Sequence, residues 1–211
     1  MTAEQWGLIT AEQAEQTGVD ASLLGTLTRA GVLTAVEEGA FQLAGAPLPA
    51  HVDIKVAWLR LKPGVPAWSR LDGNSGVVSH SSACRLHGLG DLPAGTVELL
   101  VTPGTTQAGA EVRLHADTDL DQAQITVVDG LPVTTAERTI TDLLAAGQDG
   151  GHVGGVVADA VRRGLVGHST LAADIAPFAP GYGLPASASG SDLIGHLLRQ
   201  AGEDLTPPPG R

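Results

Sequence analysis

Between Trp6 and Leu43 the pattern of apolar and polar positions changes period three times. Thr10 stands before a short polar and apolar run, Ala11 to Thr17, where its hydroxyl can cap a first helical turn. Gly18 closes that run, being free to adopt a positive φ in a tight turn. Asp20 opens a second run in which Leu23, Leu24 and Leu27 recur at i, i+1 and i+4, a stripe expected to be buried, and Gly31 stops it. Val32 to Val36 and Ala40 to Leu43 then flank Glu37-Glu38-Gly39, which predicts a hairpin with glycine near its tip. Helix, turn, helix and β-ribbon in that order predict a small winged helix-turn-helix over residues 1–46, followed by the Pro-punctuated stretch Ala44 to Ala50.

Beyond it the periods alternate. His51 to Leu61 reads as an amphipathic helix, with Val52, Val56 and Leu59 on its apolar face and His51, Lys55, Trp58 and Lys62 on another. Val77-Val78 leads into Ser79, an N-cap for a short helix through His87 that Gly88 and Gly90 end. Thr96 to Thr102 and Glu111 to His115 predict strands, and Asp129-Gly130 predicts a tight hairpin between Gln124–Val128 and Leu131–Val133. Thr134 with Glu137 predicts a capping box for a helix through Leu144. Two more helices are expected over His152 to Leu165 and Ser169 to Phe178. Ala179 to Gly190 reads as a linker, Ser191 as the cap of a last helix to about Ala201, and the Pro-rich end as disordered. The expectation is an α+β chain: a winged helix-turn-helix (1–46), a mixed α/β body (47–178), and a linker, terminal helix and tail (179–211).

Charge changes what the first segment can do. The chain of 211 residues carries a net charge of −11, with 43% apolar and only 3% aromatic residues. Residues 1–50 hold one base, Arg29, against six acids, whereas residues 51–80 hold Lys55, Arg60, Lys62 and Arg70 against Asp53 and Asp72 and form the one basic segment. Such a surface repels bulk nucleic acid and suits a basic protein partner. No apolar run is long enough to span a bilayer, and one cysteine, Cys84, excludes an internal disulfide and fits a reducing cytoplasm.

Few residues suggest chemistry. His80, Cys84 and His87 share one helix face, yet the outer pair would lie about 10 Å apart by helix rise, so packing histidines and a buried thiol are expected rather than a metal. The serines beside them lack a nucleophile elbow. Asp117, Asp119 and Asp121 read as a solvated acidic turn, and the glycines at 147, 150, 151, 154 and 155 as a stretch between two helices without the strand–loop–helix context of a phosphate loop. No catalytic residue, metal or cofactor is expected. For nucleic acid the candidates are Ser22, Thr26, Thr28 and Arg29 on the second helix, and Lys55, Arg60, Lys62 and Arg70 beyond it. The alternative for the latter group is a solvated helix face with Trp58 half-buried.

In its motifs the chain resembles the AbiEi family of antitoxins from type IV toxin–antitoxin systems, in the form common in actinobacteria. The matching residues are Trp6-Gly-Leu-Ile-Thr10, Ala14, Gly18-Val19, Gly39 and Phe41, then Val78-Ser-His80, Ala83, Leu86-His-Gly-Leu89, Asp129-Gly-Leu-Pro-Val-Thr134, Arg138-Thr139 and Asp142-Leu143. The resemblance implies a winged helix that binds operator repeats and represses its own operon. It also implies a C-terminal domain that counters a co-encoded nucleotidyltransferase toxin. Two places depart from the family's pattern: the second helix offers Arg29 as its sole cation, and the wing carries Glu37-Glu38 where basic residues are usual. The competing readings are a DNA-binding repressor alone, with dimerisation and residues 55–70 making up the missing charge, and a protein-interaction module that no longer binds DNA.

Overall fold

The computed structural model describes residues 5–37, 39–93, 95–105, 111–117, 120–203 and 205. It is an α+β chain whose residues fall into two compact units, Met1–Val78 with Thr96–Val133 and Ser79–Gly95 with Thr134–Arg211. Among the described residues no helix is long and apolar enough to cross a membrane.

The first unit opens with strand β1 (Leu8–Thr10) and helices α1 (Ala11–Gln16) and α2 (Ala21–Arg29), followed by strands β2 (Leu33–Glu37) and β3 (Ala40–Leu43). Thr10 caps α1 as the sequence predicts: its hydroxyl accepts from the Gln13 amide, and the Gln13 side chain returns to the Thr10 amide. Asp20 caps α2 by accepting from the Leu23 amide at 2.8 Å. β1, which no hydrophobic period announces, pairs antiparallel with β3 (Leu8↔Gln42, Thr10↔Ala40), and β3 pairs with β2, giving the order β1-β3-β2. The expected leucine stripe is narrower than its spacing implies: Leu24 alone is buried, Leu27 is partly covered and Leu23 stays 43% exposed. A six-residue α1 is too short to cover the whole face of α2. Buried Gln5 ties α1 to the segment after α3, donating to Gln13 Oε1 at 2.7 Å and accepting from the Ala67 amide at 2.9 Å.

Helix α3 (Val52–Leu61) differs from expectation more sharply. Ile54 to Leu59 and Leu61 are all buried, so Lys55 and Trp58 of the second face are covered, while His51 is half-buried and Lys62 exposed. The strands β4 (Val77–Val78), β5 (Val97–Val101), β6 (Val112–Ala116), β7 (Ile125–Val128) and β8 (Leu131–Thr134) form one sheet in the order β6-β5-β4-β8-β7. β5 runs antiparallel to β4 and parallel to β6, and β4 runs parallel to β8. Asp129 (φ 50°) and Gly130 (φ 74°) make the two-residue turn of the β7–β8 hairpin, the left-handed pair that the Asp-Gly dipeptide predicts. Glu98 is buried on β5, and its carboxylate is met by His115 at 3.2 Å and Arg113 at 3.5 Å from β6, which compensates the charge.

The second unit packs α4 (His80–His87), α5 (Ala136–Ala145), α6 (Gly150–Arg162), α7 (His168–Ile175) and α8 (Gly190–Ala201) around a core of small aliphatic residues that includes Ile140, Leu143, Val153, Val156, Val157, Leu171, Leu193 and Leu197. Three caps differ from their expected positions. α5 is capped by Thr135, whose hydroxyl accepts from the Arg138 amide, because Thr134 still belongs to β8 and directs its hydroxyl at Thr139, 2.7 Å away. Accordingly, Thr135→Ala is expected to cost about 1 kcal/mol in urea unfolding, and Glu137→Ala about 0.5 kcal/mol or less. α6 starts at Gly150 behind an Asp149 cap, so most of the glycine run lies inside the helix. α8 is capped by Ser189 in a box with Asp192, and a 3-10 segment (Ala176–Tyr182) occupies part of the expected linker. The expected Pro-rich tail from residue 206 onward lies outside the described residues.

Candidate nucleic-acid interface

Helix α2 presents Ser22, Thr26 and Arg29 on one exposed face, at i, i+4 and i+7. Arg29 Nη2 donates to Thr26 Oγ1 at 3.2 Å, and Thr26 Oγ1 donates to the Ser22 carbonyl at 3.0 Å, so the three groups form one line along the helix. Thr28 is half-buried, and its hydroxyl donates to the Leu24 carbonyl at 2.8 Å. The face can exchange hydrogen bonds with base edges but offers a single cation to phosphate.

The hairpin beside it adds negative charge. The Glu37 carboxyl is held above its ordinary range first by burial and then by Asp53, with Arg60 opposing and Glu111 adding to the shift. Carboxylates from β2, α3 and the approach to β6 therefore act on one spot. Glu38 lies outside the described residues.

The basic segment divides into inner and outer cations. Lys55 is 1% exposed; its ammonium donates to the Ala50 carbonyl at 2.9 Å, pairs with Asp129, and lies 5.2 Å from the centroid of the Trp6 ring. Trp6 in turn donates from Nε1 to the Asp129 carbonyl at 2.8 Å. Arg70 is also buried: its guanidinium stacks 3.9 Å from the Trp58 ring centroid and donates to the carbonyls of Trp58 and Lys62 at 3.0 and 3.2 Å. Burial lowers its pKa to about 10. Trp58 is fully buried, with Nε1 donating to the Gly76 carbonyl at 2.8 Å. These two cations satisfy backbone and aromatic groups inside the unit. Arg60 is half-buried, with its charge acting on Glu37, and Lys62 is exposed.

The exposed tryptophan is Trp68, 41% accessible in a 3-10 turn (Ala67–Ser69), and sequence reasoning passed over it. The signal was present in the Pro63-Gly-Val-Pro66 break, which ends α3 and sets the following residues in a surface turn.

The other candidates have local roles. His87 Nε2 lies 2.8 Å from the Thr134 carbonyl, His80 Nδ1 lies 2.9 Å from Ser79 Oγ, and Cys84 is buried in the helical core. Asp121 caps a 3-10 turn by accepting from the Ala123 amide, Asp117 lines a cleft described below, and Asp119 lies outside the described residues.

The fold is that of an α+β protein with a helix–helix–β-ribbon at its start. No family model matches the chain, and no curated protein matches it. Among solved structures it is similar to the RV2827C protein from Mycobacterium tuberculosis, with a TM-score of 0.54 and 16% identity over 93% of this chain and 72% of that one. At that identity the likeness shows the fold alone.

Proposed function

We propose that the chain is the antitoxin of an AbiEi-type toxin–antitoxin system, countering a co-encoded nucleotidyltransferase and repressing its own operon as a second activity. The observation that carries this reading is where the charge lies. The unit Met1–Val78 with Thr96–Val133 holds fourteen acids against six bases, and two of those bases, Lys55 and Arg70, are buried, as is one acid, Glu98. Four bases therefore remain to offset the acids of this unit at its surface. A nucleotidyltransferase that acts on RNA or nucleotides carries a basic face, which such a surface attracts over distances of about a Debye length.

The second activity is supported by the order β1, α1, α2 and β2–β3 ribbon, which we read as a winged helix with α2 as the reading helix. With Arg29 as its one cation, specific binding depends on the hydroxyl line and on a second copy of the chain filling the other half-site. In a gel shift on the upstream region, Arg29→Ala is expected to weaken binding by roughly tenfold and to reduce the log–log salt slope by about 1. A shift that is insensitive to salt and to Arg29 removes the repressor activity. The antitoxin reading is tested by co-expression with the adjacent nucleotidyltransferase gene. Growth should be restored by this chain, and a toxin that stays lethal in its presence overturns the reading.

A further inference from the structure

The parallel pair β5 and β6 ends in a cleft. Its volume is about 320 Å³, and it is walled by the loop Asp72–Asn74, the carboxyl ends of both strands (Leu100 to Thr102 and Asp117), and Leu120, Gln122 and Ile125. The wall is built in advance: Gly73 (φ 81°) packs so closely that a Cβ there would stand 2.5 Å from Ile125 Cδ1 and 3.0 Å from Val77 Cγ2. The Asp72 carboxylate is fixed by the Asn74 backbone amide at 3.1 Å and the Asn74 side-chain amide at 2.7 Å. The floor is apolar (Leu100, Val101, Leu120, Ile125), and the rim carries two carboxylates and two amides; among the described residues that line it none is Lys, Arg or His, although Lys62 donates to the Asn74 carbonyl from outside the lining at 3.4 Å.

We infer that this cleft receives an arginine side chain presented by the basic protein that the chain counters. The partner's identity rests on the antitoxin reading; the chemistry of the occupant rests on the lining. A carboxylate has about four lone-pair sites, so Asp72 retains acceptors after holding Asn74. Two acids at the mouth of a low-dielectric concavity focus a negative potential on its interior. A long cationic side chain matches both parts, its methylene stem lying on the apolar floor and its head meeting the carboxylates. A phosphate-bearing ligand meets the two carboxylates, Asp72 and Asp117, as like charges. The ends of parallel strands are also where open α/β sheets place their binding crevices.

The test is a titration of the ¹⁵N-labelled full chain with N-acetyl-arginine-amide, with its uncharged isostere N-acetyl-citrulline-amide, and with spermidine. It is read at the Asn74 and Gln122 side-chain amides and the Thr102 backbone amide. Arginine should give saturable, salt-sensitive shifts, with citrulline and spermidine about tenfold weaker. Asp117→Asn should abolish the response. Gln122→Lys, at an exposed rim position that leaves folding untouched, should also abolish it by supplying the cleft with its own cation. The absence of a saturable shift overturns the inference, as does an equal response to citrulline; spermidine binding as tightly as arginine makes this a small-polyamine site and overturns the protein occupant. Growth rescue separates the two claims. If the wild-type chain fails to rescue, the antitoxin reading falls whatever the titration shows. If the wild type rescues and Gln122→Lys rescues equally, the antitoxin reading survives and the cleft's role in it does not.

Discussion

Gly154→Ala should destabilise the helical unit by about 3 kcal/mol, at the upper end of the usual cost of overpacking. A Gly→Ala change inside a helix ordinarily stabilises it by about 1 kcal/mol. Here a Cβ would collide with the carbonyl oxygen of Leu197 and stand 2.8 Å from Ala201 Cβ, because α6 and α8 cross with almost no space between their backbones. Backbone cannot rotate aside as a side chain can, so one helix must shift and open the core around Val153, Val157 and Leu197. Gly155 is the control: a Cβ there would find only Gly90 Cα, at 4.0 Å. Gly155→Ala should be neutral or stabilise by up to about 1 kcal/mol. Urea unfolding of the two variants side by side reads the difference, and equal effects would contradict the packing described for α6 and α8.

Lys55→Met is expected to cost about 2–3 kcal/mol, less than the ~3–5 kcal/mol for breaking a fully buried pair, since Asp129 keeps 43% of its side chain exposed. The substitution retains most of the stem's volume, so the loss reads the ammonium rather than a cavity. That ammonium joins the Ala50 carbonyl, Asp129 and the Trp6 ring, around which Trp6, His51 and Asp129 all adopt positive φ. Left-handed non-glycine residues cost about 1–3 kcal/mol each and persist only where the surroundings over-determine them. Asp129→Asn, which tolerates the same backbone conformation, should cost less and should leave the hairpin turn in place. An unchanged unfolding midpoint for Lys55→Met would show that the cation does not hold the junction.

The contrast between Lys55 and Asp129-Gly130 shows what the sequence alone could convey. Thr10, Asp20 and the Asp129-Gly130 turn act on residues one to three positions away, so their chemistry was legible as local spacing. Lys55 meets a carboxylate 74 positions on, and Trp6 a carbonyl 123 positions on. The helical wheel of α3 puts Lys55, Trp58 and Lys62 on one face and suggests a cationic stripe. Only the approach of Trp6, Arg70, Gly76 and Asp129 turns Lys55 and Trp58 of that face inward, while Lys62 stays exposed. Thus two of the eight candidate DNA contacts are buried, while Ser22, Thr26 and Arg29 line a helix face as their spacing predicts. The glycines between 150 and 155 carried a real signal of another kind. They lack the context of a phosphate loop, and what they meet, α8, lies more than forty residues later and has no local trace. β1 was missed for the same reason, since three residues carry no period and acquire strand character only by pairing with β3.

We propose two activities on separate surfaces, operator reading on α2 and antitoxicity on the acidic exterior. The most direct test is growth rescue by the triple variant Ser22→Ala, Thr26→Ala, Arg29→Ala, co-expressed with the adjacent nucleotidyltransferase from an independent promoter. All three side chains are exposed, so the fold is retained. The expected result is full rescue by a protein that no longer shifts operator DNA; loss of rescue with the fold intact would place antitoxicity on the helix itself and contradict the account.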